Sequence, residues 1–245
     1  MGGEQRDRCQ SARTTLGTVR PSLLSTTKRR RSRITSRQAA ALDRGSPRLV
    51  RLDAAATDLG LTAIPSLLEH LADSSRWVLD IGFGTGEPVE QSARRDPDTA
   101  IIAVDVHTPG IGDLVHRIEN EHLTNVVVVE GDVRQLLPAL PPEGLAGVRI
   151  FFPDPWPKKR HHRRRLVNAS FATELARYVQ PSGFWHLATD WPDYADHMEV
   201  AIAESGRWRG GRIARPDQRP VTRFERNALA AGRPAIDLWF ERMSP

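Results

Sequence analysis

At 245 residues, with 39% hydrophobic and 27% charged side chains, the chain can bury one substantial α/β core and still carry a tail. No apolar run reaches the roughly 20 residues that span a bilayer, and the basic N-terminus has no apolar segment of the secretory kind. The single cysteine, Cys9, excludes an intrachain disulfide and a cysteine-built zinc site, so a cytoplasmic protein with no membrane attachment is expected. The net charge of +5 is unevenly divided: residues 1–51 hold 13 Lys and Arg against 3 Asp and Glu, or +10, and residues 52–245 hold 22 against 27, or −5. Such segregation fits either a polyanion met at particular places or a solubilising tail.

Residues 1–27 are rich in Ser, Thr, Gly and Arg, lack an apolar period, and read as a disordered tail. "KRRRSR" (28–33) is a charge run suited to a phosphate backbone, and 28–60 is expected to be a basic, partly ordered extension before a catalytic domain over 61–245. A short helix is predicted over 36–42, while "LVRL" (49–52) is too short to assign. From residue 76 the chain alternates: strand 77–82, helix 87–95, strand 100–106, helix 109–122, strand 125–132, short helix 133–139, strand 148–152, helix 163–179, strand 183–190 and helix 192–205. Two further strands are expected within 208–214 and 235–243. Continuous Val/Ile/Leu runs between helices indicate a parallel sheet covered on both faces. The expected architecture is a doubly wound, mostly parallel seven-stranded α/β sheet with an antiparallel C-terminal edge. Ligands of such sheets bind outside the carboxyl ends of the strands.

"LDIGFGTGE" (79–87) ends the first strand and opens a helix. Gly82, Gly84 and Gly86 allow a tight turn and close approach of a ligand to the backbone. A dinucleotide fingerprint would need glycine where this chain has Glu87, an acidic group poorly placed for pyrophosphate. Asp105, about 20 residues on at the end of the second strand, suits a ribose-hydroxyl acceptor. Asp132, ending the third strand, suits an adenine amine, and Asp80 suits an ammonium or sulfonium charge. Each alone reads as a solvated strand-end residue; together they fit a nucleoside with a cationic, phosphate-free tail, S-adenosylmethionine.

"FFPDPWPKKRHHRRRLV" (151–167) then sets one carboxylate, Asp154, between prolines and ahead of Lys158, Lys159, Arg160, Arg163, Arg164 and Arg165. Cations at the start of the expected helix oppose its dipole, so phosphate binding explains them better than helix stability. Trp156 reads as a loop anchor first and a base-stacking ring second. Adjacent His161 and His162 do not make a metal site, and Asp193, Asp196 and His197 read as surface residues; no metal is expected. "TRFER" (222–226) reads, from its residues alone, as a loop.

These motifs carry a resemblance. With "VDVHTPGIG" (104–112), "ATDWPDYADHM" (188–198) and "RPVTRFERNALAAGRPAIDLWFER" (219–242), the chain resembles the bacterial tRNA (guanine-N7)-methyltransferases of the TrmB type, strongly over 77–243 and weakly over 28–42. The resemblance implies transfer of a methyl group from S-adenosylmethionine to N7 of a guanine in the tRNA variable loop, usually position 46. It implies cofactor contacts at Asp80, Asp105, Asp132 and Asp154, and substrate contacts at Lys158, Asp190, Thr222, Arg223, Phe224 and Glu225. Asp80 and Asp105 stand where the family commonly has Glu, one methylene longer with the same charge. The implied partner is tRNA, with no obligate protein partner and a monomer or homodimer.

Elementary chemistry agrees. Guanine N7 carries an in-plane lone pair and no proton, so no general base is required and alignment is the enzyme's main task. Asp154, on a loop stiffened by Pro153 and Pro155, is expected to hold the guanine and offset its developing charge. Two rival readings are a methyltransferase with another nucleic-acid or protein substrate and a catalytically silent RNA-binding protein of the same fold.

Overall fold

The strands read as unbroken apolar runs because both faces of the sheet are covered. In β3 (Thr99–Asp105), Ile101 and Ala103 pack with α1 (Ser36–Asp43), α2 (Glu87–Arg95) and α3 (Thr108–Asn120) on one face. Ala100, Ile102 and Val104 share the opposite core with α4 (Val133–Leu136), α5 (Ala169–Leu175) and α6 (Pro192–Glu204). The alternation follows from the two-residue period of a strand. This computed structural model describes residues 34–52 and 74–244. The expected tail over 1–27, the charge run at 28–33, residues 53–60 of the basic extension and the first residues of the expected catalytic domain, 61–73, lie outside the described residues.

The remaining elements are β1 (Leu49–Arg51), β2 (Arg76–Ile81), β4 (Val126–Glu130), β5 (Leu145–Phe151), β6 (Val179–Thr189), β7 (Trp208–Ile213), α7 (Arg223–Ala230) and β8 (Ile236–Arg242). They form one eight-stranded sheet in the order β1-β4-β3-β2-β5-β6-β8-β7. Strands β1 to β6 pair in parallel, and β8 runs antiparallel to both β6 and β7. All seven expected strands are present. The eighth, β1, sits at the edge beside β4; three residues carry too little period to be recognised.

Two helices depart from expectation. The helix expected over 163–179 is a 3-10 turn at Lys159–Arg164 followed by the shorter α5. Asn168 starts α5 by accepting from Phe171 N at 3.0 Å, and the helix gives way after Leu175 to a turn in which Tyr178 N donates to Leu175 O at 3.0 Å, ahead of β6. Conversely, α7 lies where the residues read as a loop. Thr222 caps it, accepting from Glu225 N at 3.0 Å. Among the described residues no helix is long and apolar enough to cross a membrane.

From β2 the chain winds outward through β3 and β4, then returns to place β5 on the other side of β2. The carboxyl ends of β2 and β5 therefore flank the point where strand order reverses, the place where such sheets open a crevice. The glycine loop over that crevice is seated on the first turn of α3. A Cβ at Gly110 would lie 1.9 Å from the carbonyl oxygen of Gly84. Gly110→Ala is predicted to destabilise the fold by about 1–3 kcal/mol through overpacking and to weaken nucleoside binding. Urea unfolding and cofactor titration test this; values equal to those of the unsubstituted chain would contradict the seating.

Candidate active site

Gly82, Gly84 and Gly86 all have left-handed backbone, with φ of 74°, 64° and 76°, as the sequence required of a tight turn between β2 and α2. Asp105, at the end of β3, holds this loop. Its Oδ2 accepts from Gly84 N at 3.1 Å, and its Oδ1 accepts from Val106 N and His107 N at 2.7 and 2.9 Å. Burial raises the Asp105 carboxyl above its ordinary range, opposed by those three backbone donors. Beneath the loop lies Asp80, only 4% exposed. Burial pushes its carboxyl up to about 6, against the pull of Arg149 on the paired strand and with a push from Asp105. A buried carboxylate short of positive charge is what a cationic ligand would complete.

Asp80, Gly82, Gly84 and Phe151 line a cleft, with Thr222, Arg223 and Phe224 closing its far side. The rim of Phe224 approaches the glycine loop so closely that a Cβ at Gly84 would meet it at 3.4 Å. The third expected cofactor carboxylate, Asp132, stands apart. It caps α4, accepting from Arg134 N at 3.0 Å, and is gripped by the Arg134 side chain at 2.6 and 3.0 Å. An adenine amine there would share a carboxylate already engaged.

The proline loop leaves β5 at the same crevice. Phe152 and Trp156, each followed by proline, have φ of 54° and 46°. Such backbone is costly for bulky residues and persists only where the surroundings fix it. Phe152 N donates to Ala188 O at 2.7 Å; the Arg164 guanidinium lies 4.9 Å above the Trp156 ring and the His161 ring meets its edge. These contacts hold the half-buried Trp156 ring against its own basic segment and not against the sheet edge. Between these fixed points Asp154 is exposed.

Lys158, Lys159, Arg160, Arg163 and Arg164 are all exposed, and among the described residues none forms an ion pair. Their helix-dipole rationale falls away with the shortened helix, but their lack of acidic partners supports the same conclusion. Arg165 is a correction. By sequence it belongs with the phosphate-facing cations, yet its side chain is 1% exposed. It donates to Pro155 O at 2.9 Å, pairs with Asp193 and packs over Tyr194, so it braces the proline loop from behind.

The C-terminal segment also divides. Arg223 and Phe224 are exposed at the cleft. Thr222 and Glu225, expected to touch substrate, are buried at 6% and 2% exposure. Thr222 caps α7, and Glu225 accepts from Arg215 at 2.7 Å and from Arg219 at 2.7 and 2.9 Å. Glu225 holds this wall from behind, while Thr222 also lines the cleft. Glu87, read only as an obstacle to pyrophosphate, pairs with Arg226 of α7 at 3.0 Å. Asp190, at the end of β6, pairs with Arg233 at 2.9 Å. Residue reading missed Arg215, Arg219, Arg226 and Arg233, since each partner is fixed only by folding.

A glycine loop pinned by a strand-end carboxylate, a buried acid below it and a crevice at the reversal of strand order define a Rossmann-like nucleoside-dependent methyltransferase. The donor set suits S-adenosylmethionine: Asp80 would meet the positive charge of its tail and Asp105 its ribose, beside a glycine loop that keeps side chains out of the crevice. The family model Methyltransf_4, described as "Putative methyltransferase", matches residues 74–238, and the chain belongs to that family. It is 45% identical over 223 residues to a protein of Streptomyces avermitilis named tRNA (guanine-N(7)-)-methyltransferase, covering 88% of this chain and 74% of that one. A protein of the same name from Thiobacillus denitrificans is 42% identical, covering 87% and 92%. Among solved structures, the 16S rRNA methyltransferase KamB superposes with a TM-score of 0.56 at 18% identity, covering 74% of this chain and 94% of that one. A 30S ribosomal A1408 methyltransferase from an uncultured bacterium gives 0.55 at 16%, with the same coverage. At such identities these two share the fold.

The state of Asp80 gives a prediction with a defined sign. Its folded pKa is raised, so its protonated form favours the folded, ligand-free chain, and that stability is lost as pH rises through about 6. Binding of a cation needs the ionised form, so S-adenosylmethionine affinity is predicted to rise through the same pH, with proton release below it. Calorimetric titration of the unsubstituted chain and Asp80→Asn checks this; a pH dependence surviving in Asp80→Asn would contradict the assignment.

Proposed function

We propose that this chain transfers a methyl group from S-adenosylmethionine to N7 of a guanine in the tRNA variable loop, at position 46. The observation that carries the reading is the exposed carboxylate of Asp154, standing on a fixed loop between the nucleoside crevice and five exposed cations that lack acidic partners among the described residues. The names of the relatives supply the same substrate.

Asp80, Asp105 and the glycine loop hold the cofactor, with Asp132 at the adenine end. When bound, S-adenosylmethionine supplies an electrophilic methyl group. The remaining work is placement. Asp154 accepts hydrogen bonds from the guanine edge and offsets the positive charge that grows on the purine. No proton leaves N7, so none of these carboxylates acts as an obligatory base. Lys158, Lys159, Arg160, Arg163 and Arg164 contact tRNA phosphates, whose counterions are released on binding. Arg223, Phe224 and Asp190 face the substrate from the C-terminal side. The enzyme is proposed to work in the cytoplasm as a monomer or homodimer.

Radiolabelled methyl transfer into bulk unmodified tRNA, followed by nucleoside analysis, tests the proposal. The expected product is 7-methylguanosine in the variable loop. A different methylated nucleoside, or label in protein, would assign the fold to another substrate. No incorporation despite tRNA binding would favour a silent RNA-binding protein.

A further inference from the structure

Behind the cleft lies a cluster of buried charge. The Arg219 side chain is 0% exposed. Its two terminal nitrogens meet Glu225 at 2.9 and 2.7 Å, and its Nε lies 2.7 Å from Oδ1 of Asp237. The same Asp237 oxygen is 2.8 Å from Nε2 of His186, while Arg215 adds a second guanidinium to Glu225 at 2.7 Å. Two guanidinium groups thus face two carboxylates. The Arg219 guanidinium also sits 5.7 Å from the ring centres of both Phe151 and Phe152.

Stability alone is a poor reason for such a cluster. Taking charges out of water offsets most of what their pairing returns, and apolar replacements of equal volume are often as stable. What a guanidinium adds is direction, because its planar fork fixes two acceptors at a set angle. Here one acceptor, Glu225, belongs to α7, whose first turn carries Phe224 over the glycine loop. Along its Nε edge the guanidinium faces Asp237 of β8 as an opposite charge at 2.7 Å, without a hydrogen bond from Nε, and Asp237 is tied to β6 through His186. The face of the fork rests on the two phenylalanines from which the Asp154 loop departs, one of them in strained backbone.

We propose that Arg219 is a positioning residue that sets the wall over the glycine loop, Phe224, and the loop of Asp154 in register with each other. It touches neither ligand and acts through Glu225, Asp237 and the Phe151–Phe152 pair. This rests on the function proposed above, since it assigns Arg219 the alignment on which in-line transfer depends. Misplacement by about 1 Å costs on the order of 100-fold in rate.

Arg219→Lys keeps the charge but cannot donate to both oxygens of Glu225 while facing Asp237 along a second edge. Its kcat for tRNA methylation is expected to fall about 100-fold, with KM for tRNA unchanged and cofactor affinity altered less than about tenfold. A merely structural role would lower the melting temperature and leave kcat of the folded fraction unchanged, which would overturn the proposal. Hydrogen exchange on the unsubstituted chain supplies an arm independent of the variant's folding and of methylation. Addition of S-adenosylmethionine is expected to protect the peptides carrying Phe224 and those carrying Phe152–Trp156 together. Protection of one without the other would overturn the coupling. Failure of the unsubstituted chain to methylate tRNA would instead count against the function, leaving the exchange arm to judge the coupling.

Discussion

Parallel pairing of β2 with β5 decides where everything else in this protein can happen. The strands are separated in sequence by β3 and β4, yet Leu79 lies beside Val148 and Ile81 beside Ile150. Their carboxyl ends emerge side by side, so the glycine loop leaving one and the proline loop leaving the other share one crevice. Each loop is then fixed by a different device. Asp105 pins the first through the backbone of Gly84, and Arg165 braces the second through the carbonyl of Pro155. The sheet supplies proximity, and these contacts supply angle.

Charge is distributed to match. Arginines on the described body, among them Arg37, Arg44, Arg94, Arg117, Arg209, Arg212 and Arg226, pair with carboxylates. Among the described residues the five exposed cations of the proline loop do not, and neither do the scattered Arg95, Arg177, Arg207 and Arg223. Five unpaired cations within seven residues present a concentrated local field to a polyanion. Arg165 and Glu225 show the converse. Each belongs by sequence to the binding motif, and each is turned inward to hold the residues that face out.

Much of this was legible in the sequence. Val126–Val129 and Ile101–Val104 could only be buried strands, and acids placed just after such runs fall at the carboxyl edge of a sheet. The three glycines, Asp80, Asp105 and Asp154 were located on that basis. What was not legible depended on partners distant in the chain. Arg165 reads as one more cation until folding brings Asp193 beside it, and Glu225, a substrate contact only by the resemblance, gives no sign of its enclosure by Arg215 and Arg219. The expected helix over 163–179 failed because its cations run without a visible break into Leu166 and Val167, although Asn168 was a start signal. Thr222, three residues before Glu225, was likewise a capping signal for α7 that the short spacing of "TRFER" concealed.

The proline loop is proposed to separate two tasks: Asp154 serves the reacting base and the cations serve the tRNA backbone. The most direct test is the salt dependence of tRNA methylation for Asp154→Asn and for the double variant Lys159→Ala with Arg163→Ala. The account predicts that Asp154→Asn lowers kcat on the order of 100-fold while the slope of log KM against log salt stays unchanged. It predicts that the double variant lowers that slope by about 2, one for each lost phosphate contact, with kcat at saturating tRNA retained. Near-normal turnover by Asp154→Asn, or loss of kcat with an unaltered salt slope in the double variant, would contradict it.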